Sequence, residues 1–375
     1  MALAGSGREE YFLGGGALGV PTAERITMRL YGQEYSLREL EGYTSDLRQI
    51  ADIRLVTLDD GQERGVRAAL VRTGSGLDFT VLLDRGMDIG PASYNGIPLA
   101  WQSGTGAAHP NRYEPQGLGW LRTFHGGLLA LCGMTSAGFT PGKMADPLHG
   151  NEEPGLHGRV GTIPAYDIAI DREVNDGGMT LRLGGTVDEV SLFGYKLRLQ
   201  RTITVHAGEP LIDVVDQVRN FGGDAAPLMM LYHCNFGFPL ISPDTTLTSP
   251  AVRVIPRDAA AEPGLGNWHQ MIAPQAGFAE QVYWHELDHA QAQVEAVVFN
   301  HRLKLGVVMS FRPDEMPHLT EWKQMGYGDY TLGVEPGNCL PLGRVVARER
   351  GQLRMLPPGE TDTFHLSMRV IHEAP

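Results

Sequence analysis

Glu335 sits in the run Tyr330-Thr331-Leu332-Gly333-Val334-Glu335-Pro336-Gly337-Asn338, where Pro-Gly halts a short apolar strand. A carboxylate placed there lies on the rim where a sheet meets its loops. Glu335 shares its strand face with Gly333 and Thr331, and the missing side chain at Gly333 leaves room beside it. Two other segments offer chemical partners. The apolar run at residues 228–236 carries His233. In an extended strand Met230, Tyr232, Cys234 and Phe236 take one face, and His233 points the other way with Leu231 and Asn235. An imidazole has a reference pKa of about 6.5, and a nearby carboxylate raises it, so His233 is expected to be protonated near neutrality. The third segment is Leu156-His157-Gly158-Arg159. If extended, His157 and Arg159 share a face, Gly158 lets backbone approach a ligand, and Arg159 can fork onto hydroxyls or a carboxylate. A base carboxylate, an acid imidazole and a polar clamp are the groups that opening a sugar ring requires. His125, in Phe124-His125-Gly126-Gly127, and the neighbours Trp322-Lys323 are further binding candidates. A tryptophan face suits the C–H side of a sugar, and lysine suits a hydroxyl or acidic group. Each residue also has a plain structural reading: a satisfied strand histidine, an exposed strand-end glutamate, a surface ion pair, an aromatic cap.

The elements that must hold these groups read as strands. Leu77, Phe79, Val81 and Leu83 alternate with polar residues, as do Leu197, Leu199, Ile203 and Val205, and Phe364, Leu366, Met368 and Val370. Each is a half-buried strand with one wet face. Further strands are expected at 52–58, 66–72, 180–187, 211–220, 228–238, 294–300 and 305–311. Gly- and Asp-rich turns separate them, such as Asp60-Gly61, Gly74-Ser75-Gly76, Asp176-Gly177-Gly178 and Gly222-Gly223-Asp224. Helices are few and short, at 36–41 and 46–51. The pattern predicts an all-β protein, a sandwich or a large closed sheet. Residues 103–164 are the least regular stretch and hold His109, His125, His149, His157 and Trp120. A long irregular stretch beside a rigid sheet is where a binding pocket is expected.

The ordered set His157-Gly158, His233 with Phe236, and Glu335-Pro336 resembles the aldose 1-epimerases of the galactose mutarotase superfamily. Asp84-Arg85-Gly86-Met87-Asp88-Ile89 and Glu335-Pro336-Gly337-Asn338 are similar to a poorly characterised bacterial branch of it. The resemblance runs over roughly residues 50–373. It implies a mutarotase-like β-supersandwich spanning 51–375, with a small N-terminal arm at 1–50 that carries short helices. It implies a cofactor-independent isomerase, with Glu335 as base and His233 as acid. His157, Arg159, His125, Lys323 and Trp322 would bind the sugar. That family also uses an Asp between the acid His and the base Glu, to which no single residue here is assigned. The alternative is a non-catalytic carbohydrate-binding or regulatory protein on the same fold, because fold does not fix function.

Composition agrees with a small-molecule partner. The 375-residue chain has a net charge of −13, which argues against nucleic acid, whose binding needs Lys and Arg, and against anionic membrane surfaces. Three cysteines make no disulfide framework and no Cys-x-x-Cys pair, so a reducing compartment is the default. The apolar run at 11–20 follows Glu9-Glu10 rather than a basic segment, unlike a signal peptide. A cytoplasmic location follows, with a homodimer left open. Two further motifs match known strings. His285-Glu286-Leu287-Asp288-His289 fits H-E-x-x-H, which would bind zinc in a hydrolase if both histidines shared a helical face. Gly14-Gly15-Gly16-Ala17-Leu18-Gly19 fits G-x-G-x-x-G, yet Pro21 follows and no strand–loop–helix frame surrounds it.

Overall fold

A computed structural model describes residues 28–139, 155–175 and 178–374. The glycine motif at 14–19, the apolar run at 11–20, His149 and the Asp176-Gly177 turn lie outside the described residues. The alternating segments form antiparallel strands arranged in an eight-stranded, a seven-stranded, a five-stranded and a two-stranded sheet. The architecture is an all-β sandwich, as the alternation predicts. The expected short helices are Leu37–Tyr43, entered through a Ser36–Glu39 capping box, and the 3-10 turn Leu47–Gln49, capped by Asp46.

The seven-stranded sheet holds the site. Its order is Ala251–Pro256, Gln281–Leu287, His318–Met325, Tyr330–Gly337, Ala226–Gly237 and Arg354–Leu356, and Ala130–Met134 also pairs with Ala226–Gly237. The strand Ala226–Gly237 is buried on both faces, which explains its near-continuous apolar sequence. Met230, Tyr232, Cys234 and Phe236 enter the main core. Tyr232 donates its hydroxyl hydrogen to Asp216 of the eight-stranded sheet at 2.8 Å, and Asp216 is itself forked by buried Arg201. That cross-core anchor fixes the strand's rotation and therefore turns His233 to the opposite face. There a second apolar cluster gathers Trp120, Phe124, Ala130, Cys132, Met229 and Leu231. The three cysteines are buried and free.

The Asp84–Ile89 motif positions the cluster's covering loop. Buried Arg85 donates to the carbonyls of Ala108 and Thr123 at 3.0 and 2.8 Å. Asp88 accepts from the Leu131 amide at 2.8 Å and lies 3.1 Å from His125 Nε2. The motif thus ties the five-stranded sheet to the segment that carries Trp120 and Phe124.

Candidate active site

His233 and Glu335 lie side by side on neighbouring strands, because Cys234 pairs with Val334 in an antiparallel register. His233 Nε2 is 3.1 Å from Glu335 Oε1, and both side chains are buried. The contact lacks hydrogen-bond geometry. Glu335 Oε1 and His233 Nδ1 are left without hydrogen-bond partners among the described residues. Gly333 makes the arrangement sterically feasible. A Cβ there would lie 2.8 Å from Glu335 Oε1 and 3.1 Å from Trp322 Cβ.

A cavity of about 310 Å³ opens over the pair. Its wall includes His157, Trp120, Phe124, Trp322, Thr320, Arg257 and Glu280 as well as His233 and Glu335. Rings crowd the imidazole: Phe124 at 5.2 Å, Trp322 at 5.3 Å and His157 at 5.7 Å between centroids. Trp120 stacks on Phe124 at 4.2 Å and leans on His157 at 4.6 Å. A larger open groove, about 1170 Å³, runs along the five-stranded sheet past Leu55 and Leu70. It contains none of the sequence-selected catalytic candidates, so chemistry rather than size identifies the smaller cavity.

Burial governs the protonation of the pair. It pushes the His233 imidazole down to about 4. It also raises the Glu335 carboxyl well above the usual range, with Glu280's charge adding to the effect and Arg257's opposing it. A desolvated site disfavours the charged form of each group. The ring is therefore neutral at neutral pH, and the carboxyl is shifted toward its protonated form. This corrects the expectation of a resting imidazolium: desolvation outweighs the neighbouring carboxyl and keeps the ring neutral.

His157 lies on a tight turn rather than an extended segment. Its φ is +59° and that of Gly158 is +71°. A Cβ on Gly158 would meet the Ser136 carbonyl at 2.4 Å, so only glycine fits. His157 Nδ1 accepts from the Gly138 amide at 3.3 Å. Burial lowers its pKa well below the usual value, aided by the neighbouring His233. The neutral ring then carries its hydrogen on Nε2, a donor available to a ligand.

Three of the candidate binding residues stand elsewhere. The turn at Gly158 sends Arg159 to the exposed start of a 3-10 segment, and it does not line the cavity. His125 is buried against Asp88 and does not line the cavity. Lys323 faces the opposite side of its strand from Trp322, as successive strand residues must. Its Nζ donates to the carbonyls of Asn267 and Trp268 at 3.1 Å each, and to Gln270. The H-E-x-x-H string falls on the strand Gln281–Leu287 and the turn after it, so the two histidines share no helical face. His285 instead lies 3.2 Å from Glu321 and 2.7 Å from Ser249 Oγ.

Residues from outside the three motif segments complete the wall. Arg257 pairs with Glu280 at 3.0 Å and with Asp258 at 2.7 Å, and Trp322 Nε1 donates to Glu280 at 2.8 Å. Thr320, two residues from Trp322 and on the same strand face, was accessible to period-two reasoning.

This constellation stands on a fold shared with solved mutarotase-like proteins. The protein is similar to a candidate aldose 1-epimerase from Klebsiella pneumoniae, with 24% identity, 86% of this chain and 83% of that chain covered, and a TM-score of 0.78. It is similar to a galactose mutarotase-like protein from Clostridium acetobutylicum, with 11% identity, coverage of 86% and 99%, and a TM-score of 0.59. Galactose 1-epimerase from Lactobacillus acidophilus gives 15% identity, coverage of 86% and 100%, and a TM-score of 0.57. At these identities the likeness establishes the fold. A comparison with curated proteins gives no match. Residues 63–370 match the family described as a domain of unknown function, DUF4432, and the chain belongs to that family. No helix among the described residues is long and apolar enough to cross a membrane.

Proposed function

We propose that the protein is an aldose 1-epimerase-like isomerase that interconverts sugar anomers by acid–base ring opening. The observation that carries this reading is the buried His233–Glu335 contact at the floor of an aromatic-walled cavity. Ring opening needs a proton taken from the anomeric hydroxyl O1 and one given to the ring oxygen O5. Both oxygens are attached to C1, so the two protein groups must be neighbours rather than a ring-width apart.

Glu335 takes the O1 proton and His233 donates to O5 as the C1–O5 bond breaks. The C1–C2 bond then rotates in the open-chain aldehyde, and closure runs with the roles reversed. The pair needs one proton in total, and burial, which shifts both groups toward their neutral forms, favours that inventory. With the proton on Glu335 the pair is set for ring closure. With the proton on His233 instead, the pair is set for ring opening. Each positioned acid or base typically contributes about 10²–10⁴-fold. Trp120, Phe124 and Trp322 supply faces for sugar C–H groups, and neutral His157 supplies a donor. The chemistry calls for side chains alone.

The test is anomer exchange followed by NMR on a panel including D-glucose, D-galactose, L-arabinose and L-rhamnose. Enzyme-dependent exchange of at least one sugar is expected. Binding without exchange across a wide panel would instead favour the carbohydrate-binding alternative.

A further inference from the structure

The acid–base pair is part of a longer row. Strand register sets Glu335 beside Thr320, and Thr320 beside Trp284. His233 flanks Glu335 on the other side, and beyond it comes Ala130. Thr320 lines the same cavity as the pair. Its Oγ1 is buried and has no hydrogen-bond partner among the described residues. Threonines elsewhere in the molecule behave differently. Thr331 Oγ1 donates to the Phe236 carbonyl at 2.9 Å, and Thr245 Oγ1 to that of Leu240 at 2.7 Å. A buried hydroxyl left unpaired is costly, so an orphan on a residue that lines a cavity points to a ligand. Here the orphan atoms of His233, Glu335 and Thr320 follow one another along a single wall.

We infer that Thr320 touches substrate and hydrogen-bonds the hydroxyl on C2, so that the site selects aldoses bearing a 2-hydroxyl over 2-deoxy aldoses. The inference rests on the ring-opening reading. Around the edge of an aldose ring O5, O1 and O2 occur in that order. Across the sheet His233, Glu335 and Thr320 occur in that order, on strands about 4.8 Å apart. With His233 at O5 and Glu335 at O1, the next strand brings Thr320 to O2. On the opposite flank Ala130 offers no polar side chain, so the row reads in one direction only.

Thr320→Val removes the hydroxyl and keeps the branched shape. The experiment compares kcat/KM for the sugar exchanged fastest in the panel with that for its 2-deoxy analogue. Wild type should prefer the 2-hydroxy sugar by roughly 10-fold or more, the worth of one hydrogen bond. Thr320→Val should lose about that factor on the parent sugar and none on the 2-deoxy analogue. Its melting temperature should not fall, since the hydroxyl has no partner in the fold. An equal loss on both sugars, or an unchanged preference, would overturn the inference and leave ring opening standing. Absence of exchange in wild type would remove the ring-opening reading and the role of Thr320 in it together.

Discussion

Two buried histidine–carboxylate contacts lie on the same sheet with nearly the same separation. His233 Nε2 is 3.1 Å from Glu335, and His285 Nε2 is 3.2 Å from Glu321. Distance does not distinguish them. His285 spends its other nitrogen on Ser249 Oγ at 2.7 Å, and its ring packs edge-on against Trp268 at 4.9 Å. His233 leaves Nδ1 unpaired and, with Glu335, lines a cavity. One pair is enclosed by protein and cross-links a strand to a neighbouring turn. The other is buried enough to shift both groups toward their neutral forms, and it lines a cavity. A close His–carboxylate contact is therefore weak evidence of chemistry by itself. Unspent hydrogen-bonding capacity facing a cavity is the better sign.

The contrast is most open to attack through its two carboxylates. Glu335→Gln keeps shape and removes proton transfer, so kcat for anomer exchange should fall by roughly 10²–10⁴-fold. Sugar binding, followed by calorimetry, should persist. Glu321→Gln should leave kcat within about a few-fold of wild type and instead lower the melting temperature, because it unbalances a buried pair. Equal kinetic losses in both variants would erase the distinction. His233→Ala should cost a similar factor to Glu335→Gln. The double variant should fall well short of the product of the two losses, since groups acting in one transition state are not additive. Fully multiplicative losses would mean that the two residues work in separate steps.

Gly333→Ala sharpens the geometric side. The added methyl would press on the Glu335 carboxylate at 2.8 Å, and a displacement of about 1 Å in a reacting group can cost roughly 10²-fold. A loss in kcat with little change in melting temperature is expected; wild-type kcat would show that the carboxylate's position is not critical.

The smallest effect concerns pH. The folded His233 imidazole titrates near 4, below its unfolded value of 6.5. Its contribution to stability is therefore complete above pH 6.5 and is lost as pH falls toward 4. The acid limb of kcat/KM should likewise have its midpoint near 4 rather than 6.5. A midpoint near 6.5 would mean that the ring is hydrated and that the comparison with His285 is misdrawn.

Much of this was legible in the sequence, for identifiable reasons. Period-two patterning exposed the strands and gave the correct faces for His233 against Tyr232, and for Glu335 against Val334. The cavity's far wall was not legible. Arg257 and Glu280 come from two neighbouring strand ends, and Trp120 and Phe124 from an irregular loop; only register and loop path bring them to His233. Lys323 adjoins Trp322 in sequence, yet on a strand adjacency places them on opposite faces. The same rule puts Thr320 on the face of Trp322. Arg159 shares a face with His157 only in an extended segment, which the left-handed His157-Gly158 turn breaks.

The most direct test is anomer exchange by NMR on the best sugar of the panel, with wild type, Glu335→Gln and Glu321→Gln measured side by side. Expected are exchange in wild type, near-complete loss in Glu335→Gln, and near-wild-type exchange in Glu321→Gln. Full exchange in Glu335→Gln would contradict a catalytic Glu335.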